Sequence, residues 1–131
     1  LEAALAEASS PLWTRRVRAG RGLAPFADAP AAAETLVRLL LDGEDTAVTR
    51  HTAEALARVG TVAALRLIAL AVAAADDNQT DWLLTGVQDA LMGPGDAPDV
   101  AAACGKLAGD PDEAVRRGAA DIAAWTDDAR Y

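Results

Sequence analysis

The sequence is short of most residue types from which chemical sites are built. Cysteine occurs once, at Cys104, so no internal disulfide can form and no metal site can rest on several thiolates. Histidine also occurs once, at His51, and a lone histidine is a poor metal site. Serine appears only as Ser9 and Ser10, outside any nucleophile motif, and there is no Gly-rich phosphate loop. One Phe, one Tyr and three Trp are too few for an aromatic-rich β-sandwich, and runs of strand type are missing. The longest apolar stretch, Thr61 to Ala75, is interrupted by Arg66 and is too short to span a bilayer. These absences predict a protein with no metal, no cofactor and no catalytic group.

What the chain does have is alanine, leucine and acid. Ala and Leu are the strongest helix formers, so the expected class is all-α. A length of 131 residues fits one domain that buries enough surface to fold without a staple. The net charge is −8, but residues 1–26 set Arg15, Arg16, Arg18 and Arg21 against Glu2 and Glu7, leaving −10 on the rest. An acidic body repels phosphate backbones, which argues against nucleic acid as a partner, the small basic end excepted. A single thiol and the lack of a signal peptide or spanning segment predict a cytoplasmic protein. The chain opens at "LEAALAEASS" with no Met, as a fragment of a longer protein would.

Breaks at "SSP" (9–11), "ADAP" (27–30), Gly43, Gly60, "DDNQT" (76–80), "GPGDAP" (93–98) and "GDP" (109–111) cut the chain into helix-sized segments. Within them the apolar residues recur at helical spacing: Leu36, Leu39, Leu40 and Leu41; Val48, Ala55, Leu56 and Val59; Leu83, Val87, Ala90 and Leu91; Val100, Cys104 and Leu107. On the last of these stripes Cys104 reads as a small buried hydrophobe. Caps fall where the breaks place them. Gly43 can end one helix and Asp45 or Thr46 start the next, while Asp110 is expected to cap the final helix with Pro111 at its first position.

A register emerges from "DGEDTAVTRHTAEAL" and "GDPDEAVRRGAADIA". With Val48, Leu83 and Val115 each at position zero, an acid stands at position six in all three copies: Glu54, Asp89 and Asp121. A degenerate fourth copy places zero at Leu12. A repeat of about 32–36 residues, each a helix, a turn and a helix, is the mark of a solenoid, because one hairpin cannot bury its own apolar face. The expected fold is an α-α superhelix of about four hairpins, with units at residues 1–29, 30–60, 61–95 and 96–128.

The phrases "LLLDGEDTAVTRHTAEALARVG" and "LAGDPDEAVRRGAADIA" resemble the short bacterial HEAT-like repeat, the type found in PBS lyases: leucines, Asp, an acidic turn, Val-Arg, then Ala-Ala-Glu-Ala-Leu-Gly. The match runs through Asp110, Pro111, Asp112, Val115 and Arg116, and departs at Thr49, where the family prefers Arg. The resemblance implies an α-solenoid whose second helices line a concave face. Glu54, Asp89 and Asp121 would then form an acidic ladder, either as a docking surface for a basic protein or as solvated acids paired with Arg one turn on, as Glu54 and Arg58 could be. Trp82 is a candidate anchor and Trp125 a candidate end cap, both equally readable as seam packing. Trp13 beside Arg15 and Arg16 reads either as packing or as part of a secondary basic and aromatic patch. Gly86 and Gly118, mid-helix at position three, predict close helix contact rather than a ligand.

The function expected from these features is a non-enzymatic protein–protein interaction module: a scaffold, an adaptor or an inhibitor. The alternative is a HEAT-fold enzyme similar to an alkyl-base DNA glycosylase or a bilin lyase. For the glycosylase, "TDWLL" (80–84) offers Asp81 beside Trp82 on a body of the wrong charge.

Overall fold

A computed structural model describes residues 1–93, 95 and 98–129, the last three by backbone alone. Among these the structure is all-helical, without a strand. The helices are α1 (Glu2–Glu7), α2 (Trp13–Leu23), α3 (Pro30–Leu40), α4 (Thr46–Val59), α5 (Val62–Ala74), α6 (Asp77–Met92), α7 (Val100–Leu107) and α8 (Glu113–Ala129). A 3₁₀ turn at Ala24–Phe26 follows α2. Within the "GPGDAP" break between α6 and α7, residues 94, 96 and 97 lie outside the described residues, as do 130 and 131 at the C-terminus.

Side-chain caps set the boundaries. Asp45 accepts from the Ala47 N–H at 2.9 Å to start α4, and Gly60, at φ +70°, ends it in the left-handed region that glycine tolerates. Thr61 accepts from Ala64 N–H to start α5, and Asp99 accepts from Ala102 N–H to start α7. Asp76 and Gln79 form a reciprocal capping box at α6, each side chain accepting from the other's backbone N–H. At α8 the expected cap, Asp110, is replaced by Asp112, which accepts from Ala114 N–H at 2.8 Å. Asp110 accepts instead from the Asp112 N–H and from Arg66. The reason is visible in the α3–α4 turn, where Asp42 accepts from the Glu44 and Asp45 N–H groups and from Arg16, while Asp45 caps. Each of these turns uses two acids, one to brace it and one to cap, and Asp110 holds the bracing position.

The helical stripes all face inward. Val48, Leu83 and Val115 are fully buried, as are Leu36, Leu40, Leu56, Val87 and Ile122. Leu12, by contrast, is exposed and lies just before α2, whose buried residues are Val17, Ala19, Gly20 and Leu23 together with Arg16. Leu12, placed at position zero of the fourth copy, therefore carries no buried stripe, and Val17 is the β-branched apolar residue that α2 buries.

Helix α4 packs between α2 and α6, while α5 sits among α3, α7 and α8. The apolar character of α5 follows from that central place, with Leu65, Ile68, Ala69 and Ala71 all fully buried. No described helix is long and apolar enough to cross a membrane. Glycines allow the tightest contacts. A Cβ on Gly86 would overlap the Arg50 carbonyl and stand 2.8 Å from the Ala53 Cβ. One on Gly118 would overlap the Ala69 carbonyl and stand 2.8 Å from the Ala69 Cα. These two glycines bring α6 against α4 and α8 against α5. The last helix consequently seats on α5 and α7 and meets α6 only marginally.

Candidate functional site

The expected acidic row does not form as three free carboxylates. Asp89 on α6 is held by Arg50 of α4 through two bonds of 2.7 and 3.2 Å. That bond to Asp89, with its charge, raises the Arg50 pKa above its ordinary value. Glu54 accepts from Arg58 at 3.2 Å, the expected i,i+4 pair, and Arg58 also reaches the Asp89 carbonyl. Arg50 and Arg58 thus lace α4 to α6 through Asp89, while Glu54 braces Arg58 within α4. Asp121 is exposed on α8, and α8 packs on α5 and α7, so it is not brought beside the other two.

The basic and aromatic end is also divided. Trp13 and Arg15 are exposed, but Arg16 is buried at 7% exposure, with its guanidinium bonded to Asp42 at 2.8 Å and to the Ser10 carbonyl at 2.9 Å. Arg18 pairs with Glu7, and Arg21 contacts His51 Nδ1 at 3.2 Å. His51 lines an open surface cleft with Arg21, Glu54 and Arg58. Among the described residues no group of three His, Cys, Asp or Glu side chains could hold a metal.

Two clefts flank the α3–α4 turn and share Asp42, Gly43 and Glu44. The larger, about 460 Å³, is bounded by the α1–α2 connection, Arg16, Thr35 and Arg38. Ser10 lies in it, its hydroxyl accepting from Leu12 N–H, and the two carboxylates that line the same cleft, Asp42 and Glu44, make no hydrogen bond to that hydroxyl among the described residues. The smaller, about 160 Å³, is lined by residues 42–46, Thr49, Asp76, Asn78, Gln79 and Trp82. It exists because Gln79 Nε2 donates to the Leu41 carbonyl at 3.1 Å, tying the start of α6 to the end of α3.

Trp82 and Trp125 differ. Trp125 is packed against the core, as end-cap packing requires, whereas Trp82 is half-buried as a wall of the smaller cleft. Asp81 is exposed and does not share that cleft, so the Asp–Trp pair of a glycosylase-like reading is split. Cys104 is buried, and burial pushes its thiol pKa up to about 11. The elements of the smaller cleft lie about 35 residues apart in sequence, and only its capping residues carried a local signal. No protein-family model, curated protein or solved structure matches the chain.

Proposed function

We propose that this chain is a non-enzymatic interaction module, a HEAT-like helical stack that offers an acidic surface to a basic protein. The observation that carries the reading is the use made of its arginines. Arg16, Arg18, Arg50, Arg58 and Arg66 are each engaged by carboxylates of the chain itself. Glu34, Glu44, Asp77, Asp81, Glu113 and Asp121 remain exposed. Each pair cancels one acid with one arginine, so the net charge of −8 is expressed through such exposed acids, and their field steers cationic surfaces inward.

Immobilised protein in a lysate of the source cells should retain a discrete partner with a basic surface, released as salt is raised. Charge reversal beside the α3–α4 turn, as in Glu44→Lys, should weaken that capture more than Glu34→Lys on α3. Retention that is indifferent to salt, or an acidic partner, would sink the proposal.

A further inference from the structure

The smaller cleft beside the α3–α4 turn has the chemistry of a receptor for one side chain, and we infer that it takes an arginine of the partner protein. The inference rests on the interaction-module reading and narrows it to a place.

Charge comes first. Asp42, Glu44, Asp45 and Asp76 line the cleft, and no cationic residue lines it. Arg16 touches the same group from behind: its guanidinium is committed to Asp42 and the Ser10 carbonyl, and it stands 3.7 Å from Glu44. Asp42 is thereby neutralised, but Asp45 and Asp76 have only backbone N–H partners, and the Glu44 side chain is 81% exposed. Asp45 and Asp76 thus line the space with no cation of this chain to balance them, and Glu44 shares only the far side of the Arg16 guanidinium, at 3.7 Å. They do not converge as metal ligands, since no described group of three acids could hold an ion. The cation that fits is a broad organic one.

A second observation concerns Thr49. Its residue is 1% exposed, and its hydroxyl makes no hydrogen bond among the described residues, unlike those of Thr35, Thr85 and Thr126. It is not sealed in the core either, because among the described residues the one enclosed side-chain atom without a partner is Thr52 Oγ1. Thr49 lines the cleft, so its remaining access is into that space, where it offers an acceptor to an incoming N–H donor.

Third is the wall. Trp82 is half-buried here without joining the core, which leaves its indole to the cleft. A guanidinium stacks on an indole and bonds carboxylates with a planar fork, which an ammonium does not do. At about 160 Å³ the space is below the roughly 300–1,000 Å³ of sites that hold small-molecule ligands, and it suits a single side chain.

The test is a titration of the full chain with acetyl-Arg-Arg-Arg-amide at low salt, followed by amide and indole NMR shifts. Expected are shifts confined to residues 42–49 and 76–82, with a Trp82 indole response. Acetyl-Lys-Lys-Lys-amide should bind about fivefold more weakly, in line with the loss of stacking and bidentate bonding. Trp82→Leu, Thr49→Val and the exposed-site variant Glu44→Gln should each weaken the arginine peptide. Asp121→Asn, which removes the same charge far from the cleft, should not. Equal losses from Glu44→Gln and Asp121→Asn, or shifts scattered over the surface, would overturn the cleft assignment while leaving the acidic-surface reading standing. Equal affinity for the two peptides would also overturn it, as would the same local shifts with calcium chloride alone. Failure of either peptide to bind anywhere would remove both.

Discussion

At the residue scale, the positions that tolerate least change are those where one helix backbone rests on another. A methyl group on Gly118 has nowhere to go, because the obstacle is the Ala69 backbone and not a side chain that can turn aside. Gly118→Ala should cost about 1–3 kcal/mol, the usual range for forced overpacking, and Gly86→Ala should fall in the same range. Gly105 is the control. It lies inside α7 with open space around its missing Cβ, so Gly105→Ala should gain about 0.5–1 kcal/mol from helix propensity. Urea unfolding midpoints of the three variants check the pattern, and equal effects would mean that propensity, not contact, governs these sites. Cys104 makes a chemical prediction of the same kind. Its thiol is buried and its pKa stands at about 11, so it holds little thiolate at neutral pH. Iodoacetamide should label it slowly in the native protein and rapidly in denaturant. The sign for stability is that a raised acid pKa favours the protonated fold. This contribution is complete below the ordinary thiol value and fades as pH climbs toward 11.

At the scale of elements, what was legible in the sequence was whatever is local. The stripes through Val48, Leu83 and Val115, the helix stop at Gly60 and the cap at Asp45 all depend on neighbours within a few turns. The i,i+4 pair of Glu54 and Arg58 could be read for the same reason. What escaped was long-range pairing. Arg50 reaches Asp89 across 39 residues and Arg66 reaches Asp110 across 44, and spacing alone gives no sign of either. The same limit hid the smaller cleft, whose halves meet only through the Gln79 bond to Leu41. Asp110 was misread as a cap because a helix-start signal and a turn brace use the same residue type. Its true partner gives it a testable acid response. The hydrogen bond from Arg66 holds the Asp110 carboxyl below its usual value, aided by the Asp112 N–H. A depressed carboxylate pKa adds stability above the ordinary value near 4, and that stability drains as pH falls through the lowered one. Unfolding midpoints of Asp110→Asn should lie below wild type at pH 6 and converge with it toward pH 2. A constant gap over that range would show that the Arg66 pair contributes nothing to the fold.

At the scale of the whole molecule, charge decides which macromolecules can approach. The four arginines of residues 1–26 are the one segment whose sequence admits a nucleic-acid contact, and the fold disperses them. Arg16 is buried against Asp42 and Arg18 is paired with Glu7, so Arg15 and Arg21, the latter in contact with the uncharged ring of His51, are the exposed arginines of that segment without a carboxylate partner among the described residues. Duplex binding draws its affinity from several phosphates neutralised together, with the released counterions as driving force. Three exposed arginines, one of them paired with Glu7, on a body of net charge −8 cannot supply that. The protein should therefore show no binding to duplex DNA or RNA in fluorescence anisotropy near physiological salt, at concentrations up to tens of micromolar, well above the roughly 1 μM end of typical non-specific affinities. Lowering the salt should not rescue binding, because weaker screening lengthens the reach of the repulsion as well as that of Arg15 and Arg21. A submicromolar, sequence-tolerant complex would show instead that Arg15, Trp13 and the ion-paired arginines rearrange on contact. It would also return the chain to the enzyme readings that its surface charge opposes.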